Sequence, residues 1–230
     1  MPSPDSGQAR NTIAGIVDAI AGEIPVVGAI VGSFTAVASA RQRERDEEFF
    51  AMVVAKGAIT EERVAAIARG EDDEFLATAY RIVREARETA DTSRRQLLAR
   101  VLANSNGWST FSLDQRESLL PIVLGMTPLQ VVALEYFADP RQWFETRGMP
   151  MRMHEGSEQR DGLLQDALGG PDDEKRQMVR IACEELSRKG LIDGSVRVQA
   201  APGSHPKRRA SSLGERVLSF IGRDDPSERQ

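Results

Sequence analysis

Cysteine is almost missing from this chain: Cys183 stands alone among 230 residues. That excludes an intrachain disulfide and a four-cysteine zinc site, and makes the cytoplasm the expected compartment. Histidine is nearly as scarce. His154 and His205 lie far apart in segments that read as loops, without the spacing of a metal pair on one helix. Aromatic residues make up only 5% and alanine is plentiful, a balance that favours helices over sheets. No glycine-rich loop precedes a lysine to cradle phosphate, and no Gly-x-Ser-x-Gly elbow occurs. The carboxylate runs fall where helices begin, so capping explains them. Cys183 sits beside Ala182 and Leu186 on a helical face that reads as buried, which makes it a small core residue rather than a nucleophile. Met149, Met151 and Met153 read as a flexible apolar edge rather than a soft-metal site. No catalytic residue, metal or cofactor is expected, and the chain reads as a non-enzymatic binding or regulatory protein.

What is present is ordinary in amount, with 40% hydrophobic and 28% charged residues. The net charge of −5 argues against a chain coated along its length by nucleic acid, while leaving room for one local basic surface. The most apolar stretch, Ile13 to Ala40, carries only Asp18 and Glu23 as charges. From Ile24 to Ala40 the uncharged run is about 17 residues, short of the roughly 20 that span a bilayer as a helix. Gly28 and Gly32 have the spacing that lets helices approach closely in a membrane, with Phe34 as the only aromatic beside them. The run lacks leucine and includes Ser33, Thr35 and Ser39. A pair of tightly packed core helices is therefore the expectation, with a homo-oligomer contact through the Gly/Ala face open. A membrane-active effector using residues 13–40 is the alternative.

Periodicity places helices over most of the chain. Residues 1–10 read as a loose tail, and Asn11 to Ala21 as a first helix. A second helix runs from Pro25 toward Lys56, near 45 Å at about 1.5 Å per residue. A short one follows Thr60 and ends at Gly70. The acidic run at Glu71 opens another long helix whose apolar stripe extends from Phe75 to Leu102, with Arg84 and Glu88 available as an i,i+4 pair. Asn104 to Thr110 reads as a break. Ser112 begins a capping box with Gln115, in a helix toward Leu124 that Pro121 would strain. Thr127 caps the next helix, with Pro128 in its first turn and Leu129 to Phe137 as its apolar body. The expected architecture is mainly α. A helical bundle of long antiparallel helices over 11–125 precedes a winged helix-turn-helix-like domain over 126–222, and 223–230 form a tail.

The second domain follows from element order. Trp143 and Phe144 anchor a polar, broken stretch with a short helix at Asp161 to Leu168. Asp172 or Asp173 caps a strong helix whose buried face is expected to include Met178, Val179, Ile181, Ala182 and Leu186. Leu191-Ile192 and Val196 to Gln199 read as strand, the loop Ala201 to Pro206 as a hairpin tip, and Glu215 to Ile221 as a closing helix. This order, and the ending SSLGERVLSFI, resemble winged-helix domains. The resemblance implies a recognition helix in the major groove and a wing on the backbone. Lys175, Arg176, Gln177, Arg180, Arg188 and Lys189 on the helix, and Arg197, His205, Lys207, Arg208 and Arg209 on the wing, are the candidate nucleic-acid contacts. The wing's charge gives duplex nucleic acid a slight lead over a protein partner. Over the whole chain, Ile24-Pro25-Val26-Val27-Gly28, Phe49-Phe50, LLARVLANS, TPLQ, ADPRQW and LGERVLSFI resemble a group of bacterial proteins that includes Abi-alpha-like ones. That resemblance implies a helical N-terminal part, a winged-helix-like C-terminal part, an association with phage defence, and no catalytic residue.

Overall fold

The computed structural model describes residues 44–46, 48–49, 51–53, 73–151, 153, 161–196, 200–201 and 203–222. Several sequence expectations lie outside these residues: the run bearing Gly28, Gly32 and Phe34, the helix after Thr60, His154, Arg197 and both tails. By compactness the chain divides into two units, Met1–Ser109 and Thr110–Gln230. Gly125, where the sequence suggests a joint, lies within the second unit. The architecture is mainly helical, as expected, and among the described residues there is no strand, only an isolated antiparallel bridge between Ile192 and Ala210.

In the first unit the described residues between 44 and 53 are helical, and Asp46, Phe49 and Val53 turn inward at helical spacing. Asp46 meets α1, Asp73–Glu88, which buries Phe75, Ala79, Ile82, Val83 and Ala86. Arg87 grips Asp46 through both oxygens, its Nε donating at 3.0 and 3.1 Å and its Nη2 at 2.8 Å. Both side chains are largely buried, so removing either would leave a charge uncompensated, at a cost of about 3–5 kcal/mol.

One long helix from Glu71 to Leu102 is not what forms. The helix stops at Glu88 and restarts as α2, Thr92–Ala103. Thr89 and Asp91 supply the reason, because their side chains offer the backbone a local alternative to the helix. The Asp91 N–H donates to Thr89 Oγ1 at 3.3 Å, and Asp91 Oδ1 accepts from the Ser93 N–H at 2.9 Å as the cap of α2. The buried Arg95 then ties the corner together, donating to the carbonyls of Thr89 and Ala90 and to Glu48. Arg84 and Glu88 do pair, at 3.7 Å, on an exposed face. The expected break at Asn104–Thr110 is a 3-10 segment whose Trp108 is buried with its ring 6.0 Å from Phe75.

In the second unit α3, Leu113–Leu124, and α4, Pro128–Ala138, both begin with complete capping boxes, at Ser112/Gln115 and Thr127/Gln130. Together they pass a length-and-hydropathy test for a membrane span, yet they are bent by 117°. Leu119, Leu120, Val123, Val131 and Leu134 of this pair are core residues. Among the described residues no single helix is long and apolar enough to cross a membrane. Asp139 caps the short α5, Pro140–Thr146. Its Trp143 and Phe144 pack edge-on around the fully buried Tyr136. The helices α6, Gly162–Gly169, and α7, Asp173–Arg188, form a tight pair, and α7 also packs on α4. Closing the unit, α8, Ser212–Ile221, lies against α3 and α4.

Candidate interaction surface

The helix with the largest expected role, α7, is fixed at both ends by its own sequence. Asp172 caps it, accepting from the N–H groups of Glu174 and Lys175 at 3.0 and 3.1 Å. Before the cap, Gly169 lets α6 approach so closely that an added Cβ would lie 2.5 Å from Arg176 Cγ and 2.8 Å from its nitrogen. After the last turn Gly190 takes a left-handed φ of 68°. The Leu191 N–H reaches Leu186 O at 2.9 Å and the Gly190 N–H reaches Ser187 O at 3.0 Å, a Schellman termination that glycine permits without strain.

Beyond it the chain leaves and returns alongside itself. The Asp193 N–H donates to Arg209 O at 2.6 Å, Ile192 bridges Ala210, and the Ser211 N–H donates to Leu191 O at 3.0 Å. The returning arm is also strapped to the end of α4, where Phe137 O accepts from Arg209 and Ala210. Leu191-Ile192, which read as strand, carry here one isolated bridge and form no strand, and residues 197–199 of the expected hairpin lie outside the described set.

The inward face of α7 is Val179, Ala182, Cys183 and Leu186. Its Cys183 is a buried thiol, as expected, pushed upward in pKa by burial first and then by Asp161 and Glu184. Met178 and Ile181, expected on the same face, are instead exposed, at 53% and 42%. The correction is geometric. Positions 179, 182, 183 and 186 already complete a stripe at i, i+3, i+4 and i+7, and at about 100° per residue 178 and 181 fall about 90° and about 150° from its centre. Met178 and Ile181 lie in line with Glu174, Glu185 and Arg188, and all five share the outward face. That alignment was present in the spacing from the start.

Most of the cations expected to meet phosphate have a partner within the chain, although Lys175, Arg188 and Arg208 stay well exposed in theirs. Lys175 pairs with Asp172 at 3.4 Å, Arg176 with Asp166, and Arg188 with Glu185 at 2.7 Å. Arg180 donates to Gln177 Oε1, and Lys189 reaches Gly125 O at 3.4 Å. Across α7 four carboxylates, Asp173, Glu174, Glu184 and Glu185, balance four cations, Lys175, Arg176, Arg180 and Arg188. On the returning segment Arg208 is paired with Asp139 at 2.5 Å. Burial would raise the Asp139 carboxyl, but the Gln142 N–H and then Arg208 outweigh it and hold the group below its ordinary value. Arg209 donates to Asp193 O through Nε and Nη2, at 3.0 and 2.5 Å. His205 and Lys207 are exposed. The structure therefore brings the helix residues onto one element and the loop residues onto another, with most of their charge already matched.

These features define a class: a mainly helical chain of two compact units, the second offering an outward helix face of mixed charge with an apolar centre. Comparison with family models, with curated proteins and with solved structures finds no match for the chain.

Proposed function

We propose that the second unit is a winged-helix-type binding module that applies the outward face of α7 to a protein surface. The order α4, α6, α7, paired arms and α8 supports the winged-helix part of this reading, with the loop between Asp193 and Arg209 in the place of the wing. The observation that carries the choice of partner is the pair Met178 and Ile181, large apolar side chains exposed at the centre of the helix that would enter a groove. Full burial of such a side chain is favourable by about 1.5–3 kcal/mol, and with Met178 53% and Ile181 42% exposed roughly half of that is still to be gained from each. Against a duplex, affinity comes chiefly from positive charge near phosphate, and the charges of α7 cancel.

A titration of labelled duplex with the full-length chain at low salt tests the choice. No saturable binding is expected, and Lys207→Ala, Arg208→Ala and Arg209→Ala together should change nothing. Saturable binding whose salt dependence falls by about one unit of slope per lost cation would replace this reading with duplex recognition through the loop.

A further inference from the structure

We infer that the occupant of the α7 face is a second copy of this chain, the two α7 helices packing antiparallel across a two-fold axis at Ile181. This rests on the proposal that α7 contacts protein, and adds which protein. The stripe Glu174, Met178, Ile181, Glu185, Arg188 advances in steps of four, three, four and three, the repeat with which helices pair side by side. At about 100° per residue its members fall within an arc of about 80°, whose centre lies about 130° from that of the buried Val179, Ala182, Cys183 and Leu186.

A two-fold axis makes one patch serve both copies, so the patch must complement itself. With the axis at Ile181, each residue meets the one equally far on the other side. Ile181 meets Ile181, and Glu174 meets the partner's Arg188. Met178 lies over the partner's stripe between Ile181 and Glu185. That end pair is of opposite sign, and symmetry forms it twice. A parallel pairing sets Glu174 on Glu174 and Arg188 on Arg188. An antiparallel pairing centred between Met178 and Ile181 sets Glu174 on Glu185. Both place like charges together, so the Ile181-centred register is the one the charges select. Arg188 is largely exposed in its bond to Glu185, and an exposed ion pair of that kind contributes little, so it does not hold Arg188 back. One 16-residue helix buries less than the roughly 800 Å² per partner of a standard stable interface, so the dimer forms and dissociates with concentration.

Sedimentation velocity of the full-length chain over a concentration series tests this, with thermal unfolding of every variant to verify folding. The wild type should show a reversible monomer–dimer equilibrium and Ile181→Glu should be monomeric throughout. Glu174→Arg and Arg188→Glu should each raise the dissociation constant about tenfold, roughly 1.4 kcal/mol, and the two combined should restore it to within about threefold. A wild type that stays monomeric, a dimer indifferent to Ile181→Glu, or single charge reversals without rescue in the double variant would each overturn the inference. A monomeric chain that still cross-links to other proteins through position 181 would remove the homodimer and leave the protein-contact proposal standing.

Discussion

Asp161 stands just before α6 with its side chain fully buried, neither carboxylate oxygen meets a hydrogen-bond partner, and it does not cap the helix. Burial pushes the carboxyl above its ordinary 3.8. The dipoles of the Gln165 side chain and of the residue's own backbone, and the charge of Arg180, work against that rise, and Glu184 adds to it. A carboxyl raised on folding contributes stability below its unfolded value and loses it as pH climbs through the folded one. At neutral pH Asp161 therefore costs the second unit stability. Asp161→Asn, which keeps the shape and removes the ionisation, should raise the unfolding midpoint at neutral pH by a few degrees, with about 2–4 °C for each kcal/mol recovered. The gain should shrink toward nothing as pH falls to the ordinary carboxylate range. Thermal melts of both proteins across that range would show it, and a loss of stability at neutral pH would mean that the carboxylate is a bonded anion. The charge pattern of the sequence flags Asp161 as one acid among many, because burial depends on how α6 lies against α7. Met178 and Ile181 were misjudged for a related reason. Hydrophobicity marks a residue as able to be buried, and only the competing stripe of Val179, Ala182, Cys183 and Leu186 decides that it is not.

Helix boundaries were readable at some of the caps, though not at Asp91 or Asp139. Ser112 with Gln115, Thr127 with Gln130 and Pro128, and Asp172 all begin helices where their side chains can bond free N–H groups. The break at Thr89 to Asp91 was hidden because the apolar spacing runs on across it, so periodicity alone reads through a change of direction. The expected hairpin was only partly legible, since Leu191, Ile192 and Val196 have strand character but the pairing depends on where Arg209 and Ala210 return. That return is locked by Gly214, the third residue of α8. An added Cβ there would sit 2.1 Å from Leu191 O and 3.1 Å from Leu134 Cδ1. Alanine is intrinsically better than glycine in a helix by about 1 kcal/mol, but a backbone oxygen cannot step aside as a side chain can. Gly214→Ala should therefore destabilise the second unit by about 1–3 kcal/mol or more, the usual range for overpacking. Urea unfolding would show it. A neutral or stabilising effect would mean that α8 does not press against Leu191.

For the whole molecule, mainly helical character followed from low aromatic content, abundant alanine and successive caps. The choice of partner did not, because it depends on which side of one helix faces outward and which cations the chain itself binds. In the sequence Arg176, Arg208 and Arg209 are three positive charges. In the folded second unit they meet Asp166, Asp139 and the Asp193 carbonyl. The central claim, that the outward face of α7 meets protein, is tested most directly by placing a photo-activatable side chain at position 181 and, separately, at position 207. The full-length chain is then irradiated in living cells, and each adduct is typed by its sensitivity to protease or to nuclease. The account predicts a protein adduct at 181 and a much weaker signal of either kind at 207. A nuclease-sensitive adduct at 181, or protein adducts at 207 and none at 181, would contradict it.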